Sequence, residues 1–206
     1  MLSIIIPTDD GGNTLFHYSL MGFWNHPEVE IIQVSHLEAP SRAERLSIGF
    51  HKSKGDLILF HHPRTQLPKE AIDHLIKLSC QKEKKDVWGG FTHQFDRPHF
   101  LLNFISWYSN LIRLKYKGIV YLDHCVFFDR QLWTSDLSLK YIFEDTELSQ
   151  KFRKVSWPVL LPYQALTSAH RFDKNGIIKQ SVLNQLLKLG YFLHLPSSLL
   201  FSLYQK

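Results

Sequence analysis

Three short apolar runs, residues 2–6, 29–34 and 56–61, alternate with segments of helical character, and this order constrains the fold more than any other feature. The stretch 41–68 is the clearest part. Ser41 stands where a helix N-cap belongs, with Glu44 at the capping-box position, so a helix is expected over 42–52. Lys54-Gly55-Asp56 closes it, with Gly55 expected in a left-handed C-terminal conformation. A buried strand follows over 56–61, then the polar loop His61-His62-Pro63-Arg64. In an open α/β sheet, a loop at the C-terminal end of a strand is where ligands gather.

The rest of the chain continues the pattern. Residues 14–24 read as a helix after the turn cluster 9–13. Pro68 opens a helix carrying Ala71, Ile72, Leu75 and Ile76 at i, i+3, i+4 spacing. The run 82–85 reads as a solvated basic loop. Strands are expected over 87–95, 119–128 and 156–161, and helices over 99–115, 144–154 and 177–193. This β-α-β-α-β-α order predicts an α/β three-layer fold with a mainly parallel central sheet, the first three strands being parallel neighbours. There is no repeat and no Ser/Gly linker, so residues 1–206 are read as one domain with an apolar tail from about 191.

Apolar residues make up 44% of the chain, enough for a sizeable core. Lys and Arg total 24 against 19 acidic residues, a net charge of +5 that favours anionic ligands. No groove-reading or single-strand-binding motif accompanies that charge, so nucleic acid is not the expected partner. Cys80 and Cys125 lack metal-site spacing and suit a reducing compartment. Neither a signal peptide nor an apolar run of spanning length is visible, which gives a cytoplasmic expectation.

Several segments, in order, resemble the family 2 glycosyltransferases of the GT-A fold. They are Ser3-Ile4-Ile5-Ile6-Pro7-Thr8, the helix from Arg42 to Gly49, Gly55 to Phe60, Thr65 to Pro68, Gly89-Gly90-Phe91, Phe143 to Leu148, and Ser168 to Phe172. The details are most similar to a small bacterial subgroup named after arsenosugar biosynthesis. The resemblance covers roughly residues 2 to 190. It implies a GT-A-like fold and inverting transfer of a sugar from a nucleotide-diphosphate donor to a glycan or lipid-linked acceptor. It further implies Asp145 as the catalytic base. Thr8, Asp9, Arg42, His62, Arg64 and Arg171 fall on the donor and phosphate side, and Gly90, Asp123, His124 and Glu144 on the acceptor side.

Three departures stand out. Gly11 falls near a usual acid, residues 34–39 replace an Asp-rich nucleoside turn, and Arg64 replaces the Asp that binds the metal. A divalent cation (Mn or Mg) at this loop is therefore disfavoured and no cofactor is expected, since hard ions want oxygen ligands. Arg64 instead offers paired donors to a phosphate. His61 and His62, adjacent on a strand end, point to opposite faces and do not chelate one ion together.

Read without the resemblance, Glu144 and Asp145 stabilise a helix start, Asp123 is a buried acid with a neighbouring partner, and His170-Arg171 is a surface pair. Trp88, Trp107 and Trp157 read as core. A degenerate, non-catalytic member that binds a carbohydrate, nucleotide or protein is the alternative function. In the tail, residues before Gly190 are expected to pack on the domain. Those after Pro196 are expected to pack poorly and to serve a homodimer or a peripheral membrane contact.

Overall fold

The computed structural model describes residues 1–8, 16–81, 86–137 and 142–205. The turn cluster 9–13 and the basic run 82–85 lie outside the described residues. The strands are β1 (Leu2–Thr8), β2 (Val29–Ser35), β3 (Leu57–Phe60), β4 (Thr65–Gln66), β5 (Trp88–Phe95), β6 (Val126–Asp129) and β7 (Val159–Thr167). The helices are α1 (Phe16–Leu20), α2 (Arg42–Lys52), α3 (Lys69–Ser79), α4 (Phe100–Tyr108), α5 (Glu144–Phe152), α6 (His170–Asn175), α7 (Ile177–Phe192) and α8 (Ser197–Gln205). Without a break, α4 runs on into a π-helix, Ser109–Tyr116.

One seven-stranded sheet has the order β2-β1-β3-β6-β5-β7-β4. As expected, β2, β1 and β3 are parallel neighbours. The sheet as a whole is mixed, which corrects the expectation of a mainly parallel one. β6 runs antiparallel between β3 and β5, and β4 runs antiparallel to β7. A strand buried on both faces reads as an apolar run whichever way it points, so its direction is not encoded in its own composition.

Both faces of the sheet are covered, and alternation along each strand sorts the two cores. Leu2, Ile4, Ile6, Leu57 and Leu59 pack with Phe16, Leu20, Ile72 and Leu75 of α1 and α3. Ile5, Ile58, Phe60, Val126 and Phe128 pack on the other face with Ala43, Leu46 and Phe50 of α2 and with α5. This is why β1 is apolar at nearly every position rather than at every second one.

The capping box of α2 is present as expected: the Glu44 N–H donates to Ser41 Oγ, and the Ser41 N–H to Glu44 Oε2, each at 3.1 Å. Gly55 is not left-handed. Ser53, in extended backbone, ends α2 instead. Gly55 is demanded by a close approach, because a Cβ there would stand 2.4 Å from Ser3 Oγ and 2.7 Å from the Met1 carbonyl. Its N–H donates to Ser3 Oγ at 2.7 Å.

Other boundaries move. Pro68 is the N-cap of α3 rather than its first residue. The strand expected over 119–128 shrinks to β6, because Leu122–His124 forms a 3-10 turn and Cys125 adopts a left-handed φ of 53°. Trp88 is core, whereas Trp107 and Trp157 are 50% and 54% exposed and so depart from the core reading. The tail beyond Pro196 buries only one of its described residues, with Leu199 and Leu203 47% and 40% exposed. It forms α8, whose Leu200 is 2% exposed and meets Gly190 and Leu187 of α7. Both cysteines are free.

Candidate active site

A cavity of about 520 Å³ opens at the C-terminal ends of the central strands. Its floor is the loop after β3. The pairing of β4 with β7 holds that loop: Thr65 Oγ1 and Thr167 Oγ1 are 2.8 Å apart, and the Ser168 N–H donates to the Arg64 carbonyl at 3.0 Å. Arg64 and Arg171 are thereby drawn to one end of the sheet. A third guanidinium, Arg42, comes from the capped first turn of α2. Its Nε donates to Glu144 Oε1, and the Glu144 side chain is fully buried. Glu144 Oε2 is a buried atom with no partner among the described residues.

His62 sits amid the three guanidiniums. The Arg64 N–H donates to His62 Nδ1 at 3.2 Å, which assigns the ring proton to Nε2; that nitrogen faces Asp123 Oδ1 at 3.5 Å. Burial pushes the His62 pKa down to about 4, opposed by Asp123 and reinforced by Arg42, Arg64 and Arg171. The ring is neutral at physiological pH. Burial raises the Asp123 pKa, and the charges of His62, His93 and Arg42 outweigh it, leaving the carboxyl below its ordinary value.

Asp145 lies in the first turn of α5 and lines the cavity. Its Oδ2 accepts from the Leu122 N–H at 3.2 Å and its Oδ1 from the Thr146 N–H at 2.7 Å. Burial first, and the adjacent Glu144 carboxylate second, push its pKa up to about 7 against the pull of Arg42. A carboxyl at that value can accept a proton near neutral pH.

Of the residues expected at the site, Arg42, His62, Arg64, Asp123, Asp145 and Arg171 converge on the cavity. Thr8 lies at the adjacent end of β1 but is not part of the lining; its carbonyl accepts from Arg45 Nη1 at 2.6 Å. Asp9 lies outside the described residues. Gly90 is a packing position: a Cβ there would stand 2.7 Å from Val120 and 2.8 Å from His124. His124 is fully buried, its Nδ1 2.9 Å from the Phe91 carbonyl and its Nε2 2.8 Å from Ser109 Oγ. His61 is also fully buried and contacts the His62 carbonyl through Nδ1 at 3.0 Å. The two histidines do point apart.

The lining residues missed by sequence reasoning include His93, Arg113, Tyr121 and Lys188. The π-helix delivers Arg113, and α7 roofs the cavity with Gln180, Asn184, Leu187 and Lys188. A polar face at helical spacing, Ser106, Ser109, Asn110 and Arg113, was the available signal for Arg113. Five Lys and Arg side chains line the cavity against two carboxylates, Asp123 and Asp145. No cluster of three or more His, Cys, Asp or Glu suited to a metal ion occurs among the described residues.

No family model matches the sequence, and no curated protein matches it. Solved structures do match in shape. The structure of S. aureus TarS residues 1–349 superposes with a TM-score of 0.58 at 11% identity, over 80% of this chain and 60% of that one. TarS 1–349 in complex with UDP gives 0.59 at 11% identity, over 82% of this chain and 60% of that one. A mycobacterial protein gives 0.50 at 13% identity, over 81% and 65%. The chain thus spans about 60% of the TarS 1–349 chains it matches, and 36% of a longer one. At such identities the likeness shows the fold, and that fold is a GT-A-like α/β arrangement around a mixed sheet.

Proposed function

We propose that this protein transfers a sugar from a nucleotide-diphosphate donor, with Asp145 as the base that takes the acceptor hydroxyl proton. One observation carries the reading. Three guanidiniums, Arg42, Arg64 and Arg171, surround the floor of a cavity whose wall holds a carboxylate with a raised pKa. The leaving group in such a transfer is a nucleoside diphosphate, which needs positive charge as the bond breaks. Fixed guanidiniums supply that charge without a metal ion, and their paired donors suit phosphate oxygens. An inverting course follows if the acceptor oxygen, giving its proton to Asp145, attacks the anomeric carbon on the face opposite the departing diphosphate. TarS 1–349 has been solved with UDP and with UDP-GlcNAc, which supports UDP as the first nucleotide to try. The match does not extend to the arsenosugar subgroup, so the proposal stays at the level of a GT-A-like sugar transferase.

The outer surface supports work at the cytoplasmic face of a membrane. Ile178, Val182, Leu186 and Leu189 form an exposed apolar stripe on the side of α7 opposite its cavity-facing residues. No acidic residue occurs from 174 to 206 or from 98 to 122. An apolar, acid-free surface suits an anionic bilayer, where a lipid-linked acceptor would be met. Among the described residues no helix is long and apolar enough to cross a membrane.

A second reading rests on a specific observation: both Asp145 oxygens already accept backbone N–H groups. That carboxylate could serve only to fix the 3-10 turn, leaving a binding protein without turnover. Calorimetry with UDP, UDP-GlcNAc and other nucleotides, with and without manganese, followed by an assay of donor hydrolysis, separates the two. UDP binding with hydrolysis supports the transferase. Binding without turnover supports the second reading, and no nucleotide binding removes the transferase and leaves a binding protein for a carbohydrate or a protein partner.

A further inference from the structure

Arg113 and Lys188 stand on the cavity wall built by the π-helix and α7. Neither has a carboxylate partner among the described residues. Arg113 is 9% exposed and its guanidinium lies over two rings, 5.3 Å from the Tyr108 centroid and 4.6 Å from that of Tyr121. The rings fix its direction but leave its charge uncompensated. Lys188 is half-buried and makes no hydrogen bond among the described residues. Two like charges held together away from bulk water are costly unless an anion completes the arrangement. Burial, and next the Arg113 charge, push Lys188 down to about 7, which is the signature of that cost.

This pair is separate from the guanidiniums on the cavity floor. The cations that act on His62 are Arg42, Arg64 and Arg171, whereas the cation that acts on Lys188 is Arg113. Between the two groups comes Tyr121, whose ring carries Arg113 and whose hydroxyl lies in the field of Asp145 and Asp123. Asp145 is thus acted on by Arg42 of the floor group and shares Tyr121 as a neighbour with Arg113. A transferase base belongs between its donor and its acceptor. The long π-helix adds weight, because such segments gather at functional sites.

We propose that Arg113 and Lys188 form a second anion subsite, which binds a phosphate or carboxylate group carried by the acceptor. Assigning the anion to the acceptor rests on the transferase reading; the subsite itself does not.

The test is calorimetric titration of inorganic phosphate, and separately of acetate, into the protein saturated with UDP. One equivalent is expected to bind. Lys188→Met should weaken it about tenfold, the loss of one charge-assisted contact, while UDP affinity stays within about twofold. Lys188→Arg should restore the binding. Arg64→Met should do the reverse, weakening UDP and sparing the second anion. Tighter binding of phosphate or of acetate names the anion. Short-chain dihexanoyl phosphatidic acid binding tenfold or more above phosphate identifies a lipid-borne group, and parity identifies a soluble one. Equal phosphate and acetate affinities in wild type and Lys188→Met overturn the subsite, whatever UDP does. If UDP fails to bind but phosphate binding still falls in Lys188→Met and not in Arg64→Met, the subsite stands and the donor reading falls.

Discussion

The guanidinium carbon of Arg171 lies 3.9 Å from the centre of the Tyr204 ring. Arg171 comes from α6, beside the end of β7, and Tyr204 from α8, so the last helix of the chain rests on a cation of the cavity floor. The contact holds Arg171 toward the ligand space. Tyr204→Leu should lower UDP affinity by about three- to tenfold, the scale of one partly exposed cation–π contact. Calorimetry reads this directly, and an unchanged affinity would mean that Arg171 needs no such support.

Asp145→Asn should lower transfer by a factor of about 100 to 10,000 while UDP affinity stays near that of the wild type, because the amide keeps the shape but takes no proton. Single-turnover kinetics beside calorimetry makes the comparison. Near-normal turnover would leave Asp145 as a structural carboxylate.

The pH dependence of Asp145 has two signs. Activity needs the deprotonated form, so kcat/KM should rise through about pH 7 and level off above it. Stability goes the other way. A carboxyl whose folded pKa is raised binds more protons when folded, so its contribution is present below the unfolded value of 3.8 and is lost as pH climbs toward about 7. The urea midpoint of Asp145→Asn relative to wild type should therefore rise between pH 4 and pH 7, the opposite contribution of the buried neutral histidines such as His62 being common to both proteins. A midpoint difference between variant and wild type that stays flat or falls over that window would contradict the environment described for this group.

Gly55→Ala should cost about 1–3 kcal/mol, since the new methyl meets the Ser3 hydroxyl and the Met1 carbonyl rather than open space. Ser41→Ala should cost about 1 kcal/mol and loosen the turn that aims Arg42. Chemical denaturation of both variants checks the pair, with the glycine change expected to be the larger.

On the outer side of α7, Leu186→Glu together with Leu189→Glu should abolish most binding to anionic vesicles and leave UDP binding intact. Both residues are more than half exposed and lie away from the cavity. Co-sedimentation distinguishes this from self-association. A dimer lost in the double variant, with no vesicle binding in either protein, would make the stripe a contact between two copies.

Local features of the sequence were read well, and relations between distant segments were not. The Ser41–Glu44 box, the parallel trio of strands and the convergence of Arg42, Arg64, Asp123, Asp145 and Arg171 all follow from signals within a few residues or from chain order. The direction of β6 depends on how the chain returns after the π-helix, which no strand composition records. The exposure of Trp107 and Trp157 was missed for a related reason: an aromatic ring looks the same in sequence whether a neighbour covers it or not. His124 was read toward the acceptor because of its place beside Asp123, but the 3-10 turn rotates one residue into the cavity and the other into the core. Lys188 reads in sequence only as a flank of the apolar face of α7, because its significance at the cavity comes from Arg113, 75 residues away in the chain.

The π-helix also sets a phase. At about 100° per residue, an unbroken α-helix would carry Leu114 about 120° around from Leu102 and off the buried side. Bonds of the i→i+5 kind, such as the Lys117 N–H to the Ile112 carbonyl, take up one residue of slack. That returns Leu114 to within about 20° of the line through Leu102. Both leucines are fully buried, in different cores. One continuous rod thus serves two cores, and Arg113 is turned toward the cavity by the same slip. Deleting a single residue between 109 and 116 would restore α winding and keep Leu114 within about 20° of that line, whereas inserting one would turn it about 100° further, so a one-residue insertion there should harm the protein more than a one-residue deletion.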